Sequence, residues 1–406
     1  MKLFLSYFLS IHFILYPALS AVTASIPALT AAAEPSDTAE TEENSSTLSL
    51  SAPSVLLMEA KTGTILYEKN SHDILHPASI TKIMTLILIF DALESGQITL
   101  EDTVTVSEYA ASMGGSQVFL EAGETQTVQD MIKCISIASA NDACVAMAEY
   151  LCGSEEEFVR QMNERAKGLG MNDTTFVNCC GLDTDGHMTS AYDVALMSRE
   201  LTVNHPQIHD YCTIWMDTIT HVTKKGSSEF GLTNTNKLIR QYEYATGLKT
   251  GSTSLAKYCV SATAEKDNME LIAVIMAAPD YKIRFADATT LLNYGFAKCR
   301  IYSDANTDKL SSIEVKKGVE TSVGIHYESS FEYVNTDGAD ISGITKELHY
   351  EKSVTAPIEQ NAVAGKAVYL LNGSEIGSVN LLYDSTVKAA TFRDYFKDLL
   401  ALLSPA

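Results

Sequence analysis

The apolar positions of the chain change period along its length, and each period predicts a different element. Short apolar runs at 55–58 and 64–67 flank a turn-forming segment at 61–63, which predicts a β-hairpin. Two further apolar runs, 258–264 and 271–277, flank an Asp-Asn turn and predict a second pair of strands. Strands are therefore expected near both ends of the first three hundred residues.

Helical periodicity dominates between these strand pairs. Residues 76–93 are apolar nearly all round, which predicts a helix buried in the middle of a domain. An Ala-rich stretch at 128–151 predicts helix with a break near Ser139, and 155–167 predicts a more charged helix that Gly168 ends. Strands at both ends with helices between them predict an α+β domain whose sheet combines N- and C-terminal pieces.

The C-terminal part has a different pattern. Residues 303–388 are rich in Val, Ser, Thr, Tyr and Gly with short apolar runs, which predicts a small all-β domain. Residues 389–406 have apolar side chains at helical spacing and charged ones on the opposite side. The apolar positions are Phe392, Tyr395, Phe396, Leu399, Leu400 and Leu403. Such a helix either lies on a membrane surface or packs on the β-domain, and its charge-balanced polar face leaves both open.

The N-terminus predicts export. Residues 1–33 combine Lys2, an apolar stretch and small-residue cleavage positions, which is the pattern of a signal peptide. The apolar stretch is short for a membrane span of about 20 residues, which disfavours an uncleaved anchor. Residues 34–50 are rich in Glu, Thr and Ser and predict a disordered acidic linker. We therefore expect a secreted, extracytoplasmic protein with its main domain at 51–302.

Composition and spacing exclude several classes of function. A formal net charge of −22 argues against nucleic-acid binding, which needs clustered Lys and Arg. The eight cysteines include no CxxC pair, and the adjacent Cys179 and Cys180 lack sequence partners for zinc. The spacing of the cysteines does not decide whether one or two disulfides form. Two His pairs at HxxxH spacing enclose no glutamate. We expect no metal and no cofactor.

Three short motifs carry the candidate chemistry. They are Ser79-Ile80-Thr81-Lys82 (S-x-x-K), Ser139-Ala140-Asn141 (S-x-N) and Lys249-Thr250-Gly251 (K-T-G). Each is weak alone, because S-x-x-K recurs at 254–257 and K-T-G at 61–63. Their order and context strengthen the signal, since only the first S-x-x-K precedes a buried helix.

The first two motifs fit nucleophilic catalysis. Ser79 and Lys82 are three residues apart, so a helix places them on one face. A serine hydroxyl needs a base, and Lys82 can serve only as the neutral amine, which burial and the nearby charge of Lys249 favour. Ser139 is predicted to relay the proton to a leaving amine, and Asn141 to hydrogen-bond the substrate backbone.

The third motif fits recognition of a free carboxylate. A cationic Lys249 and the hydroxyl of Thr250 suit a terminal carboxylate, and Gly251 lets a substrate backbone approach closely. The backbone N–H groups of Ser79 and Ser252 are the predicted oxyanion hole.

Longer segments around these motifs resemble one family. Residues 77–85 resemble the nucleophile segment of the D-alanyl-D-alanine carboxypeptidases, the low-molecular-mass penicillin-binding proteins (peptidase family S11). Further segments that resemble the family are 139–143, 176–193, 234–238 and 247–252. The resemblance runs from about residue 55 to 299 and is closest to the sporulation-type branch of Gram-positive bacteria. Two departures are Thr235, where some relatives have Arg, and Ala245-Thr246-Gly247, where an Asp-Gly approach is commoner. Ala140 also stands where Gly is commoner.

The resemblance implies a fold and an activity. The fold is a penicillin-binding-protein/serine β-lactamase-like domain, an antiparallel sheet flanked by helices, followed by a small β-domain. The activity is removal of the terminal D-alanine from peptidoglycan stem pentapeptides through a Ser79 acyl-enzyme, with β-lactams acylating the same serine.

Three other functions are compatible with parts of the same pattern. A serine β-lactamase is disfavoured by Ala140, by the lack of an evident Glu-x-x-Leu-Asn segment and by the extra β-domain. A catalytically inactive wall-binding or spore-coat protein is disfavoured by the intact motifs. Transpeptidation stays open.

Three residues of segment 176–193 have functional chemistry but are predicted to be structural. Asp193 is predicted to cap a helix at 194–201, and His187 to hydrogen-bond a loop; Asn178 is assigned no catalytic role.

Overall fold

The computed structural model describes residues 48–336 and 338–403. The predicted signal peptide, the predicted linker up to residue 47 and the last three residues lie outside this part. The predicted first hairpin is confirmed, with β1 (Ser54–Glu59) antiparallel to β2 (Ile65–Lys69). The predicted second pair is also confirmed and is longer than expected, with β8 (Lys257–Lys266) antiparallel to β9 (Met269–Ala278).

One five-stranded sheet joins these pairs. Its order is β2-β1-β9-β8-β7, where β7 is Ala245–Thr253, and every neighbouring pair is antiparallel. The first strand of the domain therefore pairs with one of the last, as the α+β prediction required. The edge strand β7 carries the K-T-G motif.

Helices cover both faces of this sheet. Successive strand residues point to opposite faces of the sheet. On β1, Leu56 and Met58 belong to the core between the sheet and the main group of helices. Val55 and Leu57 belong to the core on the other face, under the helix Tyr281–Lys298. The helices are α1 (Lys82–Glu94), α2 (Glu108–Ala111), α3 (Val128–Ser136), α4 (Asn141–Cys152), α5 (Glu155–Gly168), α6 (Ala191–Asn204), α7 (Ile208–Cys212), α8 (Leu238–Gln241), α9 (Tyr281–Lys298) and α10 (Phe392–Leu403). Two small pairs complete the domain: β3 (Thr103–Thr105) with β4 (Thr125–Thr127), and β5 (Met216–Thr223) with β6 (Gly226–Thr233).

The helix predicted at 76–93 begins later in the structure than the sequence pattern predicts. Residues Ala78–Thr81 form a 3₁₀ turn, and the α-helix begins only at Lys82. The predicted break near Ser139 is confirmed, because α3 ends at Ser136, α4 begins at Asn141 and Ser139 has φ of 61°. The nucleophile candidate thus lies at the entrance of a buried helix, opposite a tight inter-helix loop.

The C-terminal part is all β up to α10 and has its own core. Its strands are β10 (Arg300–Asp304), β11 (Ile313–Lys316), β12 (Ser322–Val323), β13 (Ile325–Tyr327), β14 (Phe331–Asn335), β15 (Ile344–Tyr350), β16 (Ser353–Thr355), β17 (Val363–Leu371) and β18 (Ser374–Tyr383). They form sheets β10-β14, β12-β11-β16 and β13-β18-β17-β15. The turn after β1 touches this part, since Lys61 Nζ donates to Glu332 Oε1 at 2.5 Å. The second K-T-G match is therefore a structural turn.

Four apolar side chains of α10 are exposed. Phe392 is 85% exposed, and Tyr395, Phe396 and Leu399 are each about half exposed. A helix packed on the β-domain through this face would bury them further, so their exposure favours the membrane-surface alternative. Among the described residues, no helix is both long enough and apolar enough to cross a bilayer.

Candidate active site

Ser79 and Lys82 meet as predicted. Lys82 is fully buried, and its Nζ lies 3.0 Å from Ser79 Oγ. The same Nζ donates to Asn141 Oδ1 at 2.6 Å and to the Cys180 carbonyl at 2.7 Å. A neutral amine has two N–H donors for Asn141 and Cys180 and one lone pair for the serine hydroxyl. The geometry therefore suits proton transfer from Ser79.

The S-x-N loop lies against both lysines. Ser139 Oγ accepts a hydrogen bond from Lys249 Nζ at 2.8 Å. Asn141 accepts from Lys82 through Oδ1 and donates through Nδ2 to the Gly114 carbonyl at 2.7 Å. These two contacts of Asn141 orient Lys82 and the loop at Gly114, and sequence reasoning did not predict them. The contact of Asn141 with the substrate backbone stays a prediction.

Lys249 is buried on β7 and is close to losing its proton at neutral pH. Burial, and then the positive charge of Lys82, lower the pKa of Lys249 to about 7. Its Nζ also donates to the Thr250 carbonyl at 3.0 Å. The Thr250 hydroxyl donates to Thr235 Oγ1 at 2.7 Å. Thr235, which stands where some relatives have Arg, therefore lies beside the predicted carboxylate site.

Gly251 packs β7 directly on the nucleophile turn. A Cβ at Gly251 would lie 2.9 Å from both Ser79 N and Ile80 N and 3.0 Å from the Pro77 carbonyl. This close approach puts the next strand residue, Ser252, beside the backbone of Ser79. It fits the predicted pair of oxyanion donors, Ser79 and Ser252.

A buried arginine on α9 donates hydrogen bonds to the backbone of β7 and β8. Arg284 on α9 donates through Nη1 to the Gly251 carbonyl at 3.1 Å and to the Cys259 carbonyl at 3.3 Å. Its guanidinium lies over the rings of Tyr258 and Phe285. Sequence reasoning missed Arg284, because it lies 33 residues beyond Gly251 and belongs to no motif.

The segment 177–187 packs against the nucleophile turn at Ala78–Thr81. Gly181 has φ of +85°, and a Cβ there would lie 1.8 Å from the Ala78 carbonyl oxygen. His187 accepts from Val177 N through Nδ1 at 2.9 Å, so its Nε2 carries the proton and donates to Thr81 Oγ1 at 2.8 Å. The expectation that His187 hydrogen-bonds a loop is confirmed. The resemblance in 176–193 was the signal for this segment, although its backbone carbonyl was not identified.

The predicted cap at Asp193 is wrong. Helix α6 begins at Ala191, and Ser190 is the N-cap, accepting from Asp193 N at 3.2 Å. The Asp193 carboxylate instead accepts from Asp173 N at 2.8 Å and from the Thr174 hydroxyl at 2.7 Å. Serine is as good a cap as aspartate, and its place three residues earlier leaves Asp193 in the first turn.

The arrangement can activate a serine, stabilise an oxyanion and bind a terminal carboxylate. It brings together Ser79, Lys82, Ser139, Asn141, Lys249, Thr250, Gly251 and Ser252, all from three distant parts of the chain.

Comparisons with known families agree with this geometry. Residues 38–280 match a family model described as D-alanyl-D-alanine carboxypeptidase, and residues 302–389 match one described as the C-terminal domain of penicillin-binding protein 5. The chain is 40% identical over 358 residues to the D-alanyl-D-alanine carboxypeptidase DacF of Bacillus subtilis (strain 168), covering 87% of this chain and 90% of that protein. It is 32% identical over 361 residues to DacC of Escherichia coli K12, covering 84% and 86%.

Solved structures show the same architecture. Penicillin-binding protein 5 from Haemophilus influenzae superposes with a TM-score of 0.70 at 30% identity, covering 84% of this chain and 98% of that one. A peptidoglycan synthesis regulatory factor (PBP3) from Streptococcus pneumoniae superposes with a TM-score of 0.67 at 27% identity, covering 84% and 100%.

Proposed function

Because the chain belongs to the D-alanyl-D-alanine carboxypeptidase family, we propose that it removes the terminal D-alanine from peptidoglycan stem pentapeptides through an acyl-enzyme on Ser79. The observation that carries the proposal is the position of the two lysines. One lies 3.0 Å from Ser79 Oγ and the other 2.8 Å from Ser139 Oγ. A base is thus held beside the nucleophile, and a proton route is held beside the leaving group.

Acylation follows from these contacts. Neutral Lys82 takes the proton of Ser79 as the oxygen attacks the carbonyl between the two D-alanines. The N–H groups of Ser79 and Ser252 stabilise the oxyanion, while Lys82 and Ser139 pass a proton to the departing amine. Water then attacks the ester and gives a proton to Lys82, which passes it to Ser79 Oγ as the ester bond breaks. The shortened stem leaves, and Ser79 and Lys82 are restored.

The substrate carboxylate is bound by the groups on β7 and beside it. Lys249, Thr250 and Thr235 offer a cation and two hydroxyls, and the two hydroxyl oxygens lie 2.7 Å apart. Protonated Lys249 is the binding form. β-Lactams present a carboxylate and a strained amide in the same arrangement, so we propose that they acylate Ser79 as well.

The domain limits and location extend the proposal. We assign catalysis to 51–302, a supporting role to 303–388, and contact with the outer face of the cytoplasmic membrane to 389–406, after removal of a signal peptide at 1–33. The exposed Phe392, Tyr395, Phe396 and Leu399 support membrane contact.

Cosedimentation with anionic and zwitterionic vesicles tests the membrane contact of residues 389–406. The chain should bind the vesicles, and the Phe396→Asp variant should bind at least about fivefold more weakly. Equal binding by both proteins would refute this role.

The test of the activity is intact-protein mass after incubation with benzylpenicillin. Wild type and Ser254→Ala should both gain one penicilloyl group, and Ser79→Ala should gain none. Ser254 is the matched control, because it opens the other S-x-x-K match in the same domain. Release of D-alanine from diacetyl-Lys-D-Ala-D-Ala then separates a carboxypeptidase from a β-lactamase. No adduct together with uncleaved penicillin would refute the enzymatic proposal and favour an inactive wall-binding protein.

A further inference from the structure

We propose that Cys179, Cys180 and Glu155 form a binding site for a thiophilic divalent cation of the Zn²⁺ class, behind the catalytic lysine. The sequence gives no metal motif here, because Glu155 and Cys179 are 24 residues apart. The fold brings a carboxylate oxygen and both sulfurs within 4.8 Å of one another. The proposal is independent of the peptidase activity.

The spacing of the two sulfurs suits one metal ion. Cys179 Sγ and Cys180 Sγ are 3.6 Å apart. With Zn–S bonds of about 2.3 Å, the edge of a tetrahedral site is about 3.8 Å long. A cation can therefore bridge both sulfurs with little movement of the chain.

The carboxylate is already oriented by other groups. Glu155 Oε1 accepts from Cys179 N at 3.0 Å, and Oε2 accepts from the Tyr109 hydroxyl at 2.7 Å. Each oxygen keeps a further lone pair for a metal. Hydrogen bonds of this kind commonly fix metal-bound carboxylates in proteins.

Both cysteines lose their thiol protons when the cation binds, because the thiolate is the metal ligand. In the structure Cys180 Sγ donates to the Asn141 carbonyl at 3.5 Å. Binding of the cation therefore replaces this weak hydrogen bond and releases protons.

An acidic cavity lies beside Glu155. It has a volume of about 430 Å³ and is lined by Tyr109, Glu149, Glu155, Glu156 and Val177 among others. Within the part of the chain that the structure describes, Glu149 Oε2 is buried with no hydrogen-bond partner. The carboxylates of this cavity attract a cation toward Glu155, and water can complete the coordination.

The site lies back to back with the catalytic machinery. The carbonyl of Cys180 accepts from Lys82 at 2.7 Å, and the carbonyl of Cys179 accepts from the Thr85 hydroxyl at 2.7 Å. The same two residues thus hold the catalytic helix through their carbonyls and would hold the cation through their sulfurs. A cation bound to the folded chain stabilises it by mass action.

The test is a metal titration of the full chain, treated with chelator and kept reduced. Cd²⁺ should give a thiolate charge-transfer band that saturates at one equivalent, and Zn²⁺ should displace it and raise the unfolding temperature. Cys179→Ser and Cys180→Ser should each bind Cd²⁺ at least about thirtyfold more weakly, and Glu155→Gln at least about tenfold more weakly.

Two matched controls make the result specific. Cys212→Ser changes a buried thiol outside the cluster and should leave the titration unchanged. His205→Ala removes the histidine of the other group of potential ligands, Asp91, Glu94 and His205, and should also leave it unchanged. Circular dichroism establishes that each variant is folded. The proposal is overturned if wild type shows no saturable band, or if folded Cys179→Ser and Cys180→Ser keep it.

Discussion

The paired lysines predict a pH dependence of acylation. Lys82 and Lys249 are both buried, and the pKa of Lys249 is lowered to about 7 by burial and by the charge of Lys82. Protonated Lys249 is the form that binds the substrate carboxylate, and it loses its proton as the pH rises through about 7. The acylation rate should therefore be highest below about pH 7 and fall above it.

The magnitude follows from the fraction of Lys249 that keeps its proton. With a midpoint near pH 7, acylation by benzylpenicillin should be about thirtyfold slower at about pH 8.5 than on the plateau at low pH. Stopped-flow or quenched mass measurement of the second-order acylation rate, from about pH 5.5 to about pH 9, gives the profile.

A variant tests whether Lys249 sets the midpoint. Lys249→Gln removes the titrating amine, so its slower acylation should no longer change with pH near pH 7. Lys257→Gln, an exposed lysine on β8, is the control and should leave the midpoint in place. A flat wild-type profile, or a midpoint near pH 7 that persists in Lys249→Gln, would refute the assignment to Lys249.

Three further predictions concern the groups that support the site. Gly181→Ala should reduce acylation at least about a hundredfold, because its Cβ would lie 1.8 Å from the Ala78 oxygen; the benzylpenicillin rate measures this, and a wild-type rate would contradict it. Burial lowers the pKa of His187 to about 4, so its stabilising effect is present above about pH 6.5 and is lost toward pH 4. The free energy of unfolding in urea should therefore rise with pH by roughly 3 kcal/mol more in wild type than in His187→Gln over that range. An equal rise in both proteins would contradict the assignment. Arg284→Met should slow acylation about tenfold with a folded far-UV spectrum, because two carbonyls lose a charged donor; an unchanged rate would contradict its support of β7.

The sequence predicts those parts of the fold that depend on local pattern. The hairpin at β1–β2, the pair β8–β9 and the break at Ser139 follow from periodicity and turn residues. The start of the first helix could not be predicted in this way. The Gly251 backbone packs against the nucleophile turn, and Ala78–Thr81 form a 3₁₀ turn rather than α-helix.

The candidate site was predictable where its residues belong to recognisable motifs. Ser79, Lys82 and Lys249 belong to recognisable motifs, and the structure brings them together. The Cys180 carbonyl has no sequence signature, because any residue can supply a backbone oxygen. Arg284 was missed for a related reason, since its partners are also carbonyls.

The contacts of the two lysines explain why the three motifs must occur together. Lys82 comes from the first motif and binds Asn141 of the second, while Lys249 comes from the third and binds Ser139 of the second. The S-x-N loop therefore receives one hydrogen bond from each lysine. Because each lysine is held by a different residue of this loop, the loop fixes the position of both. Neither an isolated S-x-x-K nor an isolated K-T-G provides that arrangement, and the turn at Lys61 illustrates this, since its ammonium pairs with Glu332 in the β-domain.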